Sequence, residues 1–406
     1  MRALASTAAI AIIKLHISPT FRMTIWGGML RLWDFTKAQP RFQTEQGRSE
    51  LAGCEQEVVA AEVYMDHVES FDIQAFARDR VRQWLYRLMC VFMLVLLGAA
   101  PSRPVTFNNY ASDFDAFEAR TTGLPADARV AAFRAEFERI APGLYADRDV
   151  PRLDRRINKA LAEFPAIRTA YRQVEERFAS ELAAAVDHFR ASFPEFVPPM
   201  PIILAHELGM RDGGTDYVGD RKVMLFGADV IAKIHNDDSL QPFLEHELFH
   251  LEHARHFADC DQLWCPLWQE GLATYAASVM TPGASDHQLL LDQPAAIRAA
   301  TDARWGEALC WFAGRFDSDA RADADGAFTA GSAKPGFPPR FGYYVGLRIA
   351  LQAGSTRSLS ALSRLNDQAA RPVVAKALAE LIAATRAPCR PPRSAGPITH
   401  RAPRTA

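Results

Sequence analysis

The sequence predicts an α+β fold, mainly helical, with a small sheet. Three observations predict it. Apolar residues recur at helical spacing from Ser112 to about Phe196. Two runs, "PIILAHEL" and "RKVMLFGADVIA", have strand composition and are joined by the Gly- and Asp-rich turn "GMRDGGTDYVGD". Helical periodicity then resumes up to about Thr385, interrupted by a loop from Gly314 to Pro339. With 406 residues the chain suits two domains, or one large domain with appendages. Its 49% hydrophobic and 23% charged residues are ordinary for a globular protein. A formal net charge of −2 gives no electrostatic case for nucleic acid or an anionic membrane as partner. No internal repeat supports a solenoid.

Taken in order, residues 1–82 form an N-terminal extension without a usable motif. Residues 83–101 read as a secretory signal. Arg78, Arg80, Arg82 and Arg87 precede an apolar run from Leu88 to Ala100, which ends in Gly98-Ala99-Ala100. That run is shorter than the roughly 20 residues a bilayer span requires; a buried core helix is the competing reading. A signal belongs at an amino terminus, so a start placed too far upstream is expected, with Met65 as an in-frame alternative. The expectation is an exported protein, periplasmic or extracellular, associated with a membrane only if the segment stays uncleaved. Cleavage near Ala100 removes Cys54 and Cys90 and leaves Cys260, Cys265, Cys310 and Cys389, an even number in an oxidising compartment. Cys260 and Cys265 are close enough to bridge a loop, and free buried thiols are the alternative.

Residues 102–199 form a helical region, with amphipathic segments punctuated by "APG", the Asp-rich turn before Pro151 and "FPEFVPPMP". Residues 200–385 contain the strands and the motif-bearing helices. Residues 386–406, rich in Pro and Arg, are expected to be a disordered tail.

The string His246-Glu247-Leu248-Phe249-His250 stands out within "FLEHELFHLEHARH". Asp238 or Ser239 can cap its helix, and Pro242 suits the first turn. Residues four apart lie one above the other, so both imidazoles can aim at one ion, as in zinc peptidases. Glu247 projects about 100° around the helix and can reach a water on that ion. Chance alone produces such a string in roughly one or two chains in a hundred of this composition. The chain carries its own control: His206-Glu207 is followed by Met210 where a second His would stand, and it reads as a strand end.

Two residues compete as third ligand. His256 matches the last position of HExxHxxGxxH, and "SVMTP" at Ser278–Pro282 resembles a methionine turn. However, His253 replaces the helix-breaking Gly, and a continuing helix would carry His256 about 15 Å along the axis from His246. Glu270, in "LWQEGLATYAAS", follows His250 by enough chain for a turn and a returning helix with Pro266 near its start. Gly271 permits close backbone approach, and Trp268, Leu272 and Tyr275 can pack around the site. Two His and one Glu leave a coordination position for water, as a catalytic zinc requires.

HExxH followed by Glu270-Gly271-Leu272-Ala273 resembles the gluzincin metallopeptidases. With "KVMLFGADVI" and "FGYYVGLRIA", the chain looks closest to bacterial families labelled predicted zinc-dependent proteases. The resemblance spans roughly 105–385 and is specific only in the two zinc segments. It implies a zincin-like catalytic domain over 200–385, with a small sheet beside the active-site helix. It also implies Zn2+ held by His246, His250 and Glu270, with Glu247 as the catalytic carboxylate. The thermolysin branch has an Asp four residues after the third ligand, where this chain has Thr274.

On this reading the protein hydrolyses peptide bonds in a peptide or protein substrate. Glu247 takes a proton from water and passes it to the leaving amine. Tyr343 or Tyr344 donates to the oxyanion; one of the two faces the site, with Tyr344 preferred. Lys222–Phe226 is expected as a sheet edge that pairs with substrate. Glu245, Glu252 and His253 can orient ligands or lie on a solvated face, and the acidic stretch Asp317–Gly326 reads as an exposed loop that lacks a calcium pattern. The alternatives are a non-catalytic zinc-binding or assembly protein on the same scaffold, a metzincin-like peptidase using His256, and an accidental HExxH in a structural protein.

Overall fold

The structure, a computed structural model, describes residues 105–390 apart from 236–237, 259 and 332–335, together with Trp84 and two short strands. The chain divides into two units, Met1–Gly98 and Ala99–Ala406. In the first, β1 (Met23–Trp26) and β2 (Met29–Leu32) pair as an antiparallel hairpin. The signal-like segment lies outside the described residues except for Trp84, and no described helix is long and apolar enough to cross a membrane.

The second unit is α+β and mainly helical. It opens with β3 (Phe107–Asn109), α1 (Ala111–Thr121), α2 (Ala126–Ile140) and α3 (Val150–Ser192). The Asp149 carboxylate caps α3 by accepting the Arg152 N–H at 2.9 Å. Helix α3 runs for 43 residues with Pro165 inside it. Its buried positions Leu161, Phe164, Tyr171, Val174 and Phe178 keep one phase through the proline. Burial of that stripe offsets the lost hydrogen bond.

Next come β4 (Ile202–Ala205), β5 (Thr215–Val218) and β6 (Arg221–Gly227). The sheet order is β3-β4-β6-β5; the first three strands are parallel and β5 is antiparallel to β6. Two expectations change here. The Gly- and Asp-rich turn contains β5, so Lys222–Phe226 is an interior strand and β5 is the edge. The run "RKVMLFGADVIA" is strand only to Gly227 and continues as helix α4 (Ala228–Ile234). One sheet face packs on α3 through Phe226 and Phe178, whose ring centroids are 5.1 Å apart. Ile203, Ala205, Val223 and Leu225 form a smaller cluster, with Leu144 and Tyr110 against it.

Helices α5 (Gln241–His253) and α6 (Trp264–Met280) carry the motif segments. After them come α7 (Ile297–Asp302), α8 (Trp305–Ala313), α9 (Arg321–Phe328), α10 (Phe341–Gly354), α11 (Leu359–Ser363) and α12 (Asp367–Thr385). The expected loop Gly314–Pro339 thus contains a helix, and its acidic part is more than exposed. Asp317 accepts two hydrogen bonds, at 2.7 and 2.8 Å, from the buried Arg371. The carbonyls on either side, Phe316 and Ser318, accept the N–H groups of Trp264 and Leu263 at 3.1 and 2.8 Å. They satisfy donors that the first turn of α6 leaves without intrahelical partners.

Disulfides join Cys260 to Cys265 and Cys310 to Cys389. The first links the α5–α6 connection to the first turn of α6. The second fixes the start of the expected disordered tail, of which residues beyond 390 lie outside the described set.

Candidate metal centre

Helix α5 is positioned from its own ends and from α3. Its N-cap is Leu240 rather than Asp238 or Ser239, and Glu181 of α3 accepts the Leu240 N–H at 2.7 Å. Leu244, Leu248 and Leu251 are buried, which leaves His246 and His250 on the opposite side, facing the cleft. Their Nε2 atoms lie 3.1 Å apart. From α6, Glu270 Oε2 lies 3.3 Å from each of them. Among the described residues this is the one group of three potential ligands whose atoms fall within 4.8 Å of one another.

Those three separations decide whether an ion fits. Ligand atoms about 2.0–2.1 Å from a tetrahedral zinc are separated by about 3.3 Å. The triangle of 3.1, 3.3 and 3.3 Å therefore matches three corners of a zinc tetrahedron. The side chains remain 13–25% exposed and border the cleft, so solvent reaches the trio. Burial works to raise the Glu270 pKa, but His250 and His246 override it and hold the carboxyl well below the usual range. Burial lowers His246, which favours the neutral ring that a metal ligand needs.

Behind His246, the Thr274 hydroxyl lies 3.5 Å from Nδ1 and donates to the Glu270 carbonyl at 2.8 Å. With its proton committed, the hydroxyl is an acceptor towards Nδ1–H and favours the tautomer with Nε2 free. Glu247 is buried beside the trio, and burial first, then Asp212 and Glu270, push its carboxyl up to about 8 against the pull of His250. Gly213, at the start of the loop into β5, lies directly against it: a Cβ there would come within 2.9 Å of Glu247 Cδ.

The tyrosine expectation is reversed. Tyr343 borders the cleft, and its ring centroid lies 6.2 Å from that of His246. Burial, then Glu270, raise its phenol, so it is a proton donor at neutral pH. Tyr344 points away: its hydroxyl donates to Asp302 at 2.8 Å and accepts from Arg348 at 2.8 Å. Which of two adjacent residues faces inward is set where α10 crosses α6. A Cβ on Gly271 would lie 2.2 Å from the Gly346 carbonyl carbon. Gly271 therefore admits α10, not α5 as its place beside Glu270 suggested.

His256 is exposed beyond the end of α5 and is not one of the three convergent side chains. The helix stops at His253, and beyond it Phe257 packs on His253 and Trp264, with ring centroids at 4.8 and 5.8 Å. Met280 is the last residue of α6 and is buried in the core, so no methionine turn underlies the site. Glu245, fully buried, accepts from Gln241 and from Thr281 at 3.0 and 2.8 Å and contacts His188 of α3. It ties three helices together. Glu252 pairs with Arg255 at 2.9 Å, and His253 stacks between Phe249 and Phe257. The His206-Glu207 control belongs to the packing around the sheet, with the His206 ring stacked on Phe114 at 3.7 Å.

Sequence reasoning missed Arg340 and Asp212. Arg340 has left-handed backbone, φ 64°, at the N-cap of α10, and its guanidinium lies 4.3 Å over the Tyr343 ring. Asp212 is 3.6 Å from His235, and its carboxyl is lowered, against burial, by His235 and Arg340. Neither carries a local signal, because each acts across the cleft from a loop. Together these residues border a cleft of about 530 Å³. No protein-family description matches the chain, and no curated protein or solved structure matches it.

Proposed function

We propose that the protein is an exported zinc-dependent peptidase with a zincin-like catalytic domain. The observation that carries this reading is the triangle of His246, His250 and Glu270, sized for a tetrahedral ion, with Glu247 just outside it. Zinc bound there would supply Lewis acidity for carbonyl hydrolysis. Thr274 holds His246 in the ligating tautomer. With a cation held by the trio, the raised Glu247 carboxyl would revert to its ionised form, and that carboxylate accepts a proton from the attacking water and returns it to the leaving nitrogen. Gly213 leaves room for that carboxylate and limits its swing. The Tyr343 hydroxyl donates to the developing oxyanion. Two disulfides among the described residues support an oxidising compartment.

Metal analysis combined with Glu247→Gln tests the reading. The expected result is about one zinc per chain in both proteins and hydrolysis of a peptide library by the wild type only, with the variant reduced at least about 100-fold. Zinc without hydrolysis by the wild type would identify a binding or assembly protein instead. Absence of zinc after loading would leave the HExxH string an accident of helix composition.

A further inference from the structure

The walls of the cleft carry charge that the metal centre does not use. The cleft runs along α5. At the end towards the helix's N-terminus stands Arg340, which also borders a small pocket with Pro242 and Phe243. At the other end stands Arg255, just past the last turn. Lys222, from β6, borders the same cleft and has no acidic partner among the described residues.

The described wall carries three carboxylates against these three cations. Outside Glu247 and Glu270, Asp212 is the one acid on the described wall, and it is engaged by His235 and Arg340. Glu252, the partner of Arg255, is buried away from the cleft surface, whereas the Arg255 side chain is 50% exposed. With a divalent ion in place, the wall cations and the ion outweigh the three carboxylates, although the whole chain is at −2. A cleft that a bound cation turns net positive concentrates anionic ligands.

The three cations come from separate elements around the cleft, Arg340 at the start of α10, Arg255 past the end of α5 and Lys222 on β6.

We propose that this cleft selects peptide segments bearing Asp or Glu near the cleaved bond. The inference rests on the peptidase reading and specifies its substrate class. Three internally quenched peptides that differ only in Glu, Gln or Lys flanks test it on the zinc-loaded full chain. The expected order of kcat/KM is Glu over Gln over Lys, with about tenfold or more between the extremes, narrowing in about 0.5 M salt. Lys222→Glu combined with Arg255→Glu is expected to narrow or invert the Glu-to-Lys ratio. Equal hydrolysis of all three peptides would overturn the charge selection and leave the peptidase intact. Fluorescence anisotropy of the labelled peptides on zinc-loaded Glu247→Gln protein reads the same order without turnover. If the wild type cleaves nothing, the peptidase reading fails, and the anisotropy order by itself decides whether the cleft prefers acidic chains.

Discussion

At the scale of single residues, the separation of Tyr343 from Tyr344 gives a sharp comparison. Tyr343→Phe removes the one phenol on the described cleft wall and is expected to lower kcat by about 10- to 1,000-fold with zinc content unchanged. Tyr344→Phe removes the contacts to Asp302 and Arg348 and is expected to lower the melting temperature while sparing turnover. The reverse pattern would place the oxyanion donor on the other side of α10. Glu207 carries a pH prediction remote from the metal. Burial outweighs the Arg211 guanidinium 3.2 Å away and pushes this carboxyl from 4.5 up to about 7. Between those values the folded chain keeps a proton that the unfolded chain has released. Stability from this group is therefore highest below pH 4.5 and falls as pH rises through 7. Glu207→Gln abolishes the fall, so its advantage over wild type should grow by about 3 kcal/mol from pH 4.5 to 8. Urea melts at both ends of that range check it; a pH-independent difference would show that Glu207 is ionised throughout.

Elements explain how much of the site was legible beforehand. The HExxH pair is visible because helix geometry alone puts His246 beside His250, and Glu270 is visible because its spacing permits a returning helix. Arg340, Gly213 and the choice of Tyr343 over Tyr344 are not, because each depends on how elements cross, which no local pattern encodes. The edge strand β5 was hidden for a different reason: its "TDYV" sits in a Gly- and Asp-rich stretch, and only pairing with β6 makes it a strand. The crossing of α6 and α10 is the clearest case. A Cβ on Gly346 would lie 2.4 Å from the Leu267 carbonyl oxygen and 2.7 Å from Gly271 Cα. Gly346→Ala must push the helices apart, with an expected loss of about 1–3 kcal/mol and a fall in activity as Tyr343 retreats. Gly306→Ala, also helical but with only Ala387 Cβ at 3.5 Å, is the control and should be neutral or stabilising by up to about 1 kcal/mol. Equal thermal shifts in the two variants would contradict the close crossing.

Over the second unit as a whole, the ligand trio depends on chain far from it in sequence. Composition suggested that Asp317–Gly326 was merely solvated, because acidic stretches usually are. The folded chain instead uses Asp317 to seat two backbone carbonyls on the N-terminus of α6, while Arg371 of α12 holds Asp317 in place. Arg371 is 2% exposed, and its guanidinium also lies 5.4 Å over the Phe316 ring. The path runs from α12 through Asp317 to the helix that presents Glu270. Arg371→Met keeps the apolar stem and removes the fork, so Asp317 and the two carbonyls lose their anchor. Asp317 is 46% exposed and can recover hydration, which limits the expected loss to about 2–3 kcal/mol. Because α6 is then held less firmly, zinc affinity should also fall, by about tenfold. Asp317→Asn alone and combined with Arg371→Met separates the pair from mere packing. Strong coupling in zinc affinity, measured by competition with a chelator, supports a positional chain from α12 to Glu270. Additive effects confined to melting temperature would reduce Arg371 to a piece of the core.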